Sequence, residues 1–317
     1  MNAGAAGVMS AGPRVLILGA GGQLGRELRR SFTGFGSVIA ADRSVVDLAD
    51  GPRLREFVRD VQPAVILNAA AYTAVDRAES EPERARAINA DCPEILAQEA
   101  LALDALLVHY STDYVFDGSK SGAWTEEDAT NPLSVYGSSK LAGEHAIREV
   151  GGRYLIFRTS WVYGPRGNNF LFTMLRLAQQ RDKLSIVNDQ VGAPTTSMEL
   201  ADATRTIVDG IFADAFGEAK DWAGIYHMTC AGSTSWFGFA EAIFAHVAQL
   251  GVKPPELAPI PTEAYPTPAR RPRNSVLSNE KLHARFGVQL VTWQAALDAV
   301  CKQIEISRAT ATGARQA

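Results

Sequence analysis

The chain has 317 residues, 46% apolar and 21% charged, with a formal net charge of −4. It carries no basic block suited to nucleic acid and no polybasic stretch suited to a membrane surface. Cys92, Cys230 and Cys301 share no C-x-x-C spacing, and no apolar run nears the ~20 residues of a membrane span, so a reduced cytoplasmic protein is expected.

Residues 1–13 lack the basic and leucine-rich segments of a signal peptide and are expected to form a disordered leader. From there two patterns alternate. Short apolar β-branched runs fall at 15–19, 37–42, 64–70, 106–110 and 154–160. Helical spacing fills 22–32, 51–60, 81–103 and 136–149. Strands without polar alternation are buried on both faces, and strands alternating with helices make a parallel sheet. The expected fold class is α/β, a Rossmann-type doubly wound parallel sheet over 14–165.

Beyond 165 the pattern loosens. A helix is expected at 169–181, a strand at 184–188, a helix at 198–213, a strand at 225–229 and a helix at 235–250. The segments near 184–230 are expected to return to the first domain. Residues 166–183 and 231–305 would then form mainly a smaller substrate-binding domain. The run K-P-P-E-L-A-P-I-P-T-E-A-Y-P-T-P-A-R-R-P (253–272) is too rich in proline for helix interiors or central strands, so extended or edge structure is expected. A last helix starts near Trp293, and 306–317 reads as a disordered tail.

The first strand runs into G-A-G-G-Q-L-G-R-E-L, with Gly19, Gly22 and Gly25 spaced G-x-x-G-x-x-G. A glycine-rich strand-to-helix turn lets backbone approach a pyrophosphate, and the helix start offers it free N–H groups. The second strand ends at Asp42, beside Arg43. A carboxylate there bonds adenosine ribose hydroxyls and favours NADH, whereas an arginine meets the extra phosphate of NADPH, so the pair leaves the choice open. Asp47 and Leu48 are candidate adenine contacts. The third strand ends N-A-A-A-Y (68–72), and small residues such as Ala70 and Ala71, with Tyr72 behind them, leave room for a ligand across the sheet. Asn68 has a plain backbone hydrogen bond as an equal reading.

The fourth strand ends Y-S-T-D-Y-V-F-D-G, which puts Thr112 at a carboxyl edge where ligands bind. Tyr136 opens the next helix, and Lys140 follows one turn on, on the same face. A phenol, with a pKa near ~10, is a poor acid–base catalyst at neutral pH. A nearby ammonium and an oxidised nicotinamide favour the phenolate and lower that pKa. Lys140 can also hold ribose hydroxyls, and Thr112 can polarise a carbonyl that Tyr136 protonates as hydride arrives.

Together with G-G-Q-L-G-R-E-L, N-P-L-S-V-Y-G-S-S-K-L-A-G-E, R-T-S-W-V-Y-G, N-N-F-L-F-T-M-L-R-L-A and Y-P-T-P-A-R-R-P, these strings make the chain resemble the extended short-chain dehydrogenase/reductase family from about residue 14 to 300. More narrowly it resembles the branch that reduces 4-keto nucleotide sugars. The resemblance implies Thr112, Tyr136 and Lys140 as the catalytic set. It implies Gly22, Gln23, Leu24, Asp42, Ala70 and Ala71 along the cofactor. Thr112, Asp113, Trp161 and Asn169 would meet the sugar, and Arg271 the diphosphate. Related dehydratases place Asp-Glu after the threonine. Here Tyr114 stands in the glutamate's place, which argues for a simple reductase. An epimerase, another nucleotide-sugar reductase and a non-catalytic dinucleotide-binding subunit are the alternatives. Some members of this branch dimerise around a carboxylate-held Mg2+. Glu27 stands where one ligand would fall, but Glu199 is displaced by one place, a rotation of about 100° on a helix, so no metal is expected and a homodimer stays open.

Overall fold

The computed structural model describes residues 12–249 and 253–313. Its centre is a six-stranded sheet built from β1 (Arg14–Leu18), β2 (Ser37–Ala41), β3 (Val65–Asn68), β4 (Leu106–Thr112), β5 (Tyr154–Thr159) and β6 (Gly224–His227). The spatial order is β6-β5-β4-β3-β1-β2, and every neighbouring pair is parallel. The chain leaves β1 to one side for β2 and returns on the other for β3. That reversal opens a crevice at the carboxyl ends of β1 and β3.

Alternation along each strand sends side chains to two separate cores. Val15, Ile17, Val65, Leu67, Leu106, Val108, Leu155 and Phe157 face one side, against Leu28 of helix α1 (Gln23–Ser31). Leu16, Leu18, Ile66, Leu107 and Ile156 face the other, against α2 (Gly51–Val61), α3 (Cys92–Ala102) and α4 (Val135–Val150). A later helix, α5 (Ser197–Phe212), joins α1 on the first side through Leu200 and Ile207.

Three sequence expectations need correction. The segment 184–230 does not return as a whole to the main sheet. Only β6 joins it, while Lys183–Val187 pairs in parallel with Glu256–Ile260 in a separate two-stranded sheet. That pairing leaves Pro259 on an edge, where its missing N–H costs no central ladder bond. The single helix expected over 81–103 is three pieces: Pro82–Arg86, a π-helical turn at Ala87–Asp91, and α3. Pro93 explains the break, because its ring and absent N–H cannot pair with the Asn89 carbonyl four residues back. The tail expected to be disordered from 306 continues the helix Trp293–Gly313 instead, with no proline to stop it. Residues 314–317, and the leader up to residue 11, lie outside the described residues.

Helix α4, which covers the second face, packs closely against the turns beside it. A Cβ on Gly137 would run into the Tyr114 carbonyl oxygen, and one on Gly143 into that of Asn89. An ion pair pins the helix there. Arg158 on β5 donates to Glu144 through Nε (2.9 Å) and Nη2 (2.6 Å), and Ser111 on β4 donates to the same carboxylate. Glu144 is fully buried and Arg158 is 3% exposed, with its guanidinium over the Phe116 ring at 5.1 Å. Removing one partner would strand a buried charge. Arg158→Met is therefore expected to lower stability by ~3–5 kcal/mol, with Glu144→Leu added to it restoring part of the loss, as read by urea unfolding.

Candidate active site

A cavity of about 690 Å³ opens over the carboxyl ends of the strands. Its floor begins at the turn after β1. Gly19 takes φ +74°, and a Cβ there would strike the Ala70 backbone at the end of β3. Helix α1 starts at Gln23 with no side chain capping its first N–H groups. Close backbone and open N–H groups make a cradle that fits a pyrophosphate. Gly19, Gly22, Gln23 and Leu24 line it, together with Asp42, Arg43, Asp47, Leu48, Ala70, Ala71 and Tyr72. Gly25 does not line it. A side chain there would meet the Gly19 carbonyl, so this glycine serves the packing of α1 on β1.

Asp42 is exposed and caps its own turn. Its Oδ1 accepts from Ser44 N (2.9 Å) and from Ser44 Oγ (2.6 Å), which holds the carboxyl below its ordinary range. One carboxylate oxygen is thus engaged, while Arg43 stands beside it in the same wall.

At the other end of the cavity stand Thr112, Asp113, Tyr136, Lys140 and Trp161. Ser134 caps α4, accepting from Gly137 N at 3.2 Å, and this places Tyr136 in the first turn with Lys140 behind it. Thr112 lies close enough to the Tyr136 phenol to offset part of its burial, and Thr112 Oγ1 donates to Asp113 Oδ1 at 3.0 Å. Burial pushes the Tyr136 phenol up to about 12, so it holds its proton at neutral pH. Lys140 moves the opposite way. It is 1% exposed, and burial pushes its ammonium down to about 8. Its Nζ donates to the Tyr110 carbonyl at 2.6 Å and lies 3.0 Å from His109 Nε2.

Trp161 adopts φ +49° and lies face to face on Trp236, with centroids 3.6 Å apart and planes at 7°. Gly192 leaves the space that its indole occupies. Trp236 also lines the cavity, as do Tyr114 and Asn168. The sequence singles out Tyr114 only as the residue in the dehydratase glutamate's place, and Trp236 and Asn168 not at all. Trp236 comes from the helix Trp236–Gln249, far along the chain, and no local spacing links it to Trp161. Asn89 was missed as well. The π-helical turn buries it, and its amide bonds the Tyr72 backbone on both sides (2.8 and 3.1 Å) and Ser139 Oγ (3.0 Å).

Two residues expected at the substrate, Asn169 at the sugar and Arg271 at the diphosphate, do not line the cavity. Asn169 caps the helix Phe170–Ala178 through Phe172 N (3.1 Å), while its amide nitrogen holds Gln23 Oε1 at 2.8 Å. It acts on the site through Gln23, and its neighbour Asn168 lines the wall. Arg271 spends its donors inside the protein, on Asp76 Oδ2 (2.8 Å), the Ala269 carbonyl (3.2 Å) and Thr267. Glu27 is 5% exposed and accepts from Arg30 Nε at 2.9 Å.

Asp113 is the costly member of the site. It is 2% exposed, and its Oδ2 has no hydrogen-bond partner. Burial raises its carboxyl to about 6 from 3.8. The folded chain therefore binds more protons than the unfolded chain between those values, so stability falls as pH rises through that window. Asp113→Asn removes the penalty. Its unfolding temperature is expected to exceed that of the wild type at pH 7 and to lose the advantage near pH 4, as followed by thermal unfolding.

Comparison with known proteins agrees with this geometry. A family described as RmlD substrate binding domain matches residues 13–306. The dTDP-4-dehydrorhamnose reductase of Burkholderia thailandensis is 48% identical over 290 residues, covering 90% of this chain and 96% of its own. The crystal structure of a dTDP-4-dehydrorhamnose reductase from Clostridium acetobutylicum superposes with a TM-score of 0.84 at 38% identity, over 92% of this chain and 99% of that one. The Bacillus anthracis reductase in complex with NADP gives a TM-score of 0.84 at 33% identity, over 92% and 99%. Matched along nearly its whole length in sequence and fold, the chain belongs to the dTDP-4-dehydrorhamnose reductase family.

Proposed function

We propose that the protein reduces the 4-keto group of dTDP-4-dehydro-L-rhamnose to give dTDP-L-rhamnose, with NADPH or NADH as reductant and in the cytoplasm. The observation that carries the reading is one cavity lined both by the Gly19–Leu24 turn and by Thr112, Tyr136 and Lys140. When bound, the reduced nicotinamide supplies the hydride for sugar C4.

The chain's own residues do the rest. The turn after β1 and the open start of α1 suit the pyrophosphate. Thr112 orients the carbonyl oxygen. Tyr136, a phenol that burial keeps protonated, gives its proton to the oxygen as negative charge develops there. Lys140 stabilises the phenolate left behind and holds ribose hydroxyls. Trp161 and Trp236 wall the sugar end. A dehydratase would need a second acid–base pair beside the threonine. Tyr114 in that position is half-buried, and loss of water around it pushes its phenol upward, so it offers no base at neutral pH.

Tyr136→Phe is expected to cut kcat by ~10³-fold or more with little change in cofactor affinity. Turnover and cofactor fluorescence measured on one preparation check this, and near-normal turnover would remove Tyr136 from the mechanism. Arg43→Ala is expected to raise KM for NADPH by ~10-fold and to leave KM for NADH nearly unchanged, since only the phosphate of NADPH needs the guanidinium. Equal effects on both cofactors would contradict that role.

A further inference from the structure

Asn68 and His109 are each 1% exposed, and neither lines the cavity. They are register partners on β3 and β4, so their side chains stand together on the face that α4 covers. The Asn68 amide nitrogen lies 3.0 Å from His109 Nδ1, and His109 Nε2 lies 3.0 Å from Lys140 Nζ. A buried polar chain thus runs across two strands and ends on the lysine beside Tyr136.

Its direction follows from its ends. Ala70 N donates to Asn68 Oδ1 at 3.3 Å, which turns the Asn68 NH2 toward the ring. Nδ1 then accepts, so the proton of a neutral imidazole sits on Nε2, aimed at Lys140. Nζ can accept that N–H only as an amine, so this arrangement opposes the ammonium, which burial already pushes down to about 8, while Nζ donates to the Tyr110 carbonyl in either state. Burial and the neighbouring lysine hold His109 well below its ordinary range, so the ring is neutral. Around Nζ, α3 contributes the Cys92 thiol, which burial pushes up to about 12, and α4 contributes Glu144. Glu144 is already engaged by Arg158 and Ser111.

We propose that His109, held in turn by Asn68, is a positioning residue for Lys140, fixing where the lysine nitrogen sits and which protonation state the site favours. Two strand residues that touch no ligand would then tune the group serving both ribose and phenolate. The proposal rests on the nicotinamide reading above only in naming the cofactor. Its test contains no sugar, so its failure is distinct from failure of the sugar assignment.

The test titrates NADPH onto the full-length protein by fluorescence across pH. His109→Phe, which keeps volume and removes the N–H, is expected to weaken binding by at least ~10-fold. His109→Gln, which keeps a donor, is expected to bind within ~3-fold of the wild type. Asn68→Asp reverses the chain. A carboxylate only accepts, so the ring proton moves to Nδ1 and Nε2 accepts from an ammonium. The alkaline break in NADPH affinity is then expected to rise by about one pH unit. Wild-type affinity and an unmoved break, in variants that unfold at the wild-type temperature, would overturn the proposal. So would equal weakening in His109→Phe and His109→Gln with the break unmoved, the mark of a merely structural histidine. Should His109→Phe fail to fold, the break in Asn68→Asp decides alone.

Discussion

The close seating of α4 against the turns that flank it is the constraint on which the site depends. Two glycines allow the approach, at 137 and 143, and each faces a backbone carbonyl where a methyl group would clash. Between them stand Lys140 and, one residue beyond Gly143, Glu144. The Glu144–Arg158–Ser111 cluster then locks the helix to β4 and β5. A buried ion pair is weak evidence for added stability, because both charges lose their water. Its use here is geometric. It sets the depth and rotation of a helix whose first turn must present Tyr136 to Thr112.

The strands that meet this helix change character along their length. On its face they read Ile66 then Asn68, Leu107 then His109 then Ser111, and Ile156 then Arg158. The apolar ends pack against α2, α3 and Ile147. The polar ends sit at the carboxyl edge, where a parallel sheet holds its ligands. A hydrocarbon core therefore passes within a few residues into a hydrogen-bonded polar interior, in which Arg158 Nη1 is left without a partner. This is what lets Lys140 be buried without a carboxylate bonded to it and still lie at the wall of the cavity.

Much of this was legible in the sequence, for local reasons. The alternation of β-branched runs with helical spacing announces a doubly wound sheet, because a strand buried on both faces is apolar along most of its length and turns polar only near its carboxyl end. The Gly19 turn, Thr112 at a strand end and the Tyr136–Lys140 spacing are each set by nearby residues. What stayed hidden depends on partners distant in the chain. Trp236 reaches Trp161 only through the folded second half. Arg271 reads as a free guanidinium until Asp76 is seen beside it. Asn169 and Asn168 differ by one place, and only the cap on the following helix tells which one faces inward. The pairing of Lys183–Val187 with Glu256–Ile260 likewise joins segments that no periodicity connects.

The central claim is that Tyr136, Thr112 and Lys140 serve a hydride transfer to C4 of a 4-keto nucleotide sugar. The most direct measurement follows deuterium from NADPH deuterated at both C4 positions, supplied to the pure protein with dTDP-4-dehydro-L-rhamnose. The account predicts sugar-dependent oxidation of the cofactor and one deuterium at C4 of dTDP-L-rhamnose. Protein that binds the cofactor but leaves it unoxidised, or product that carries no label at C4, would contradict it.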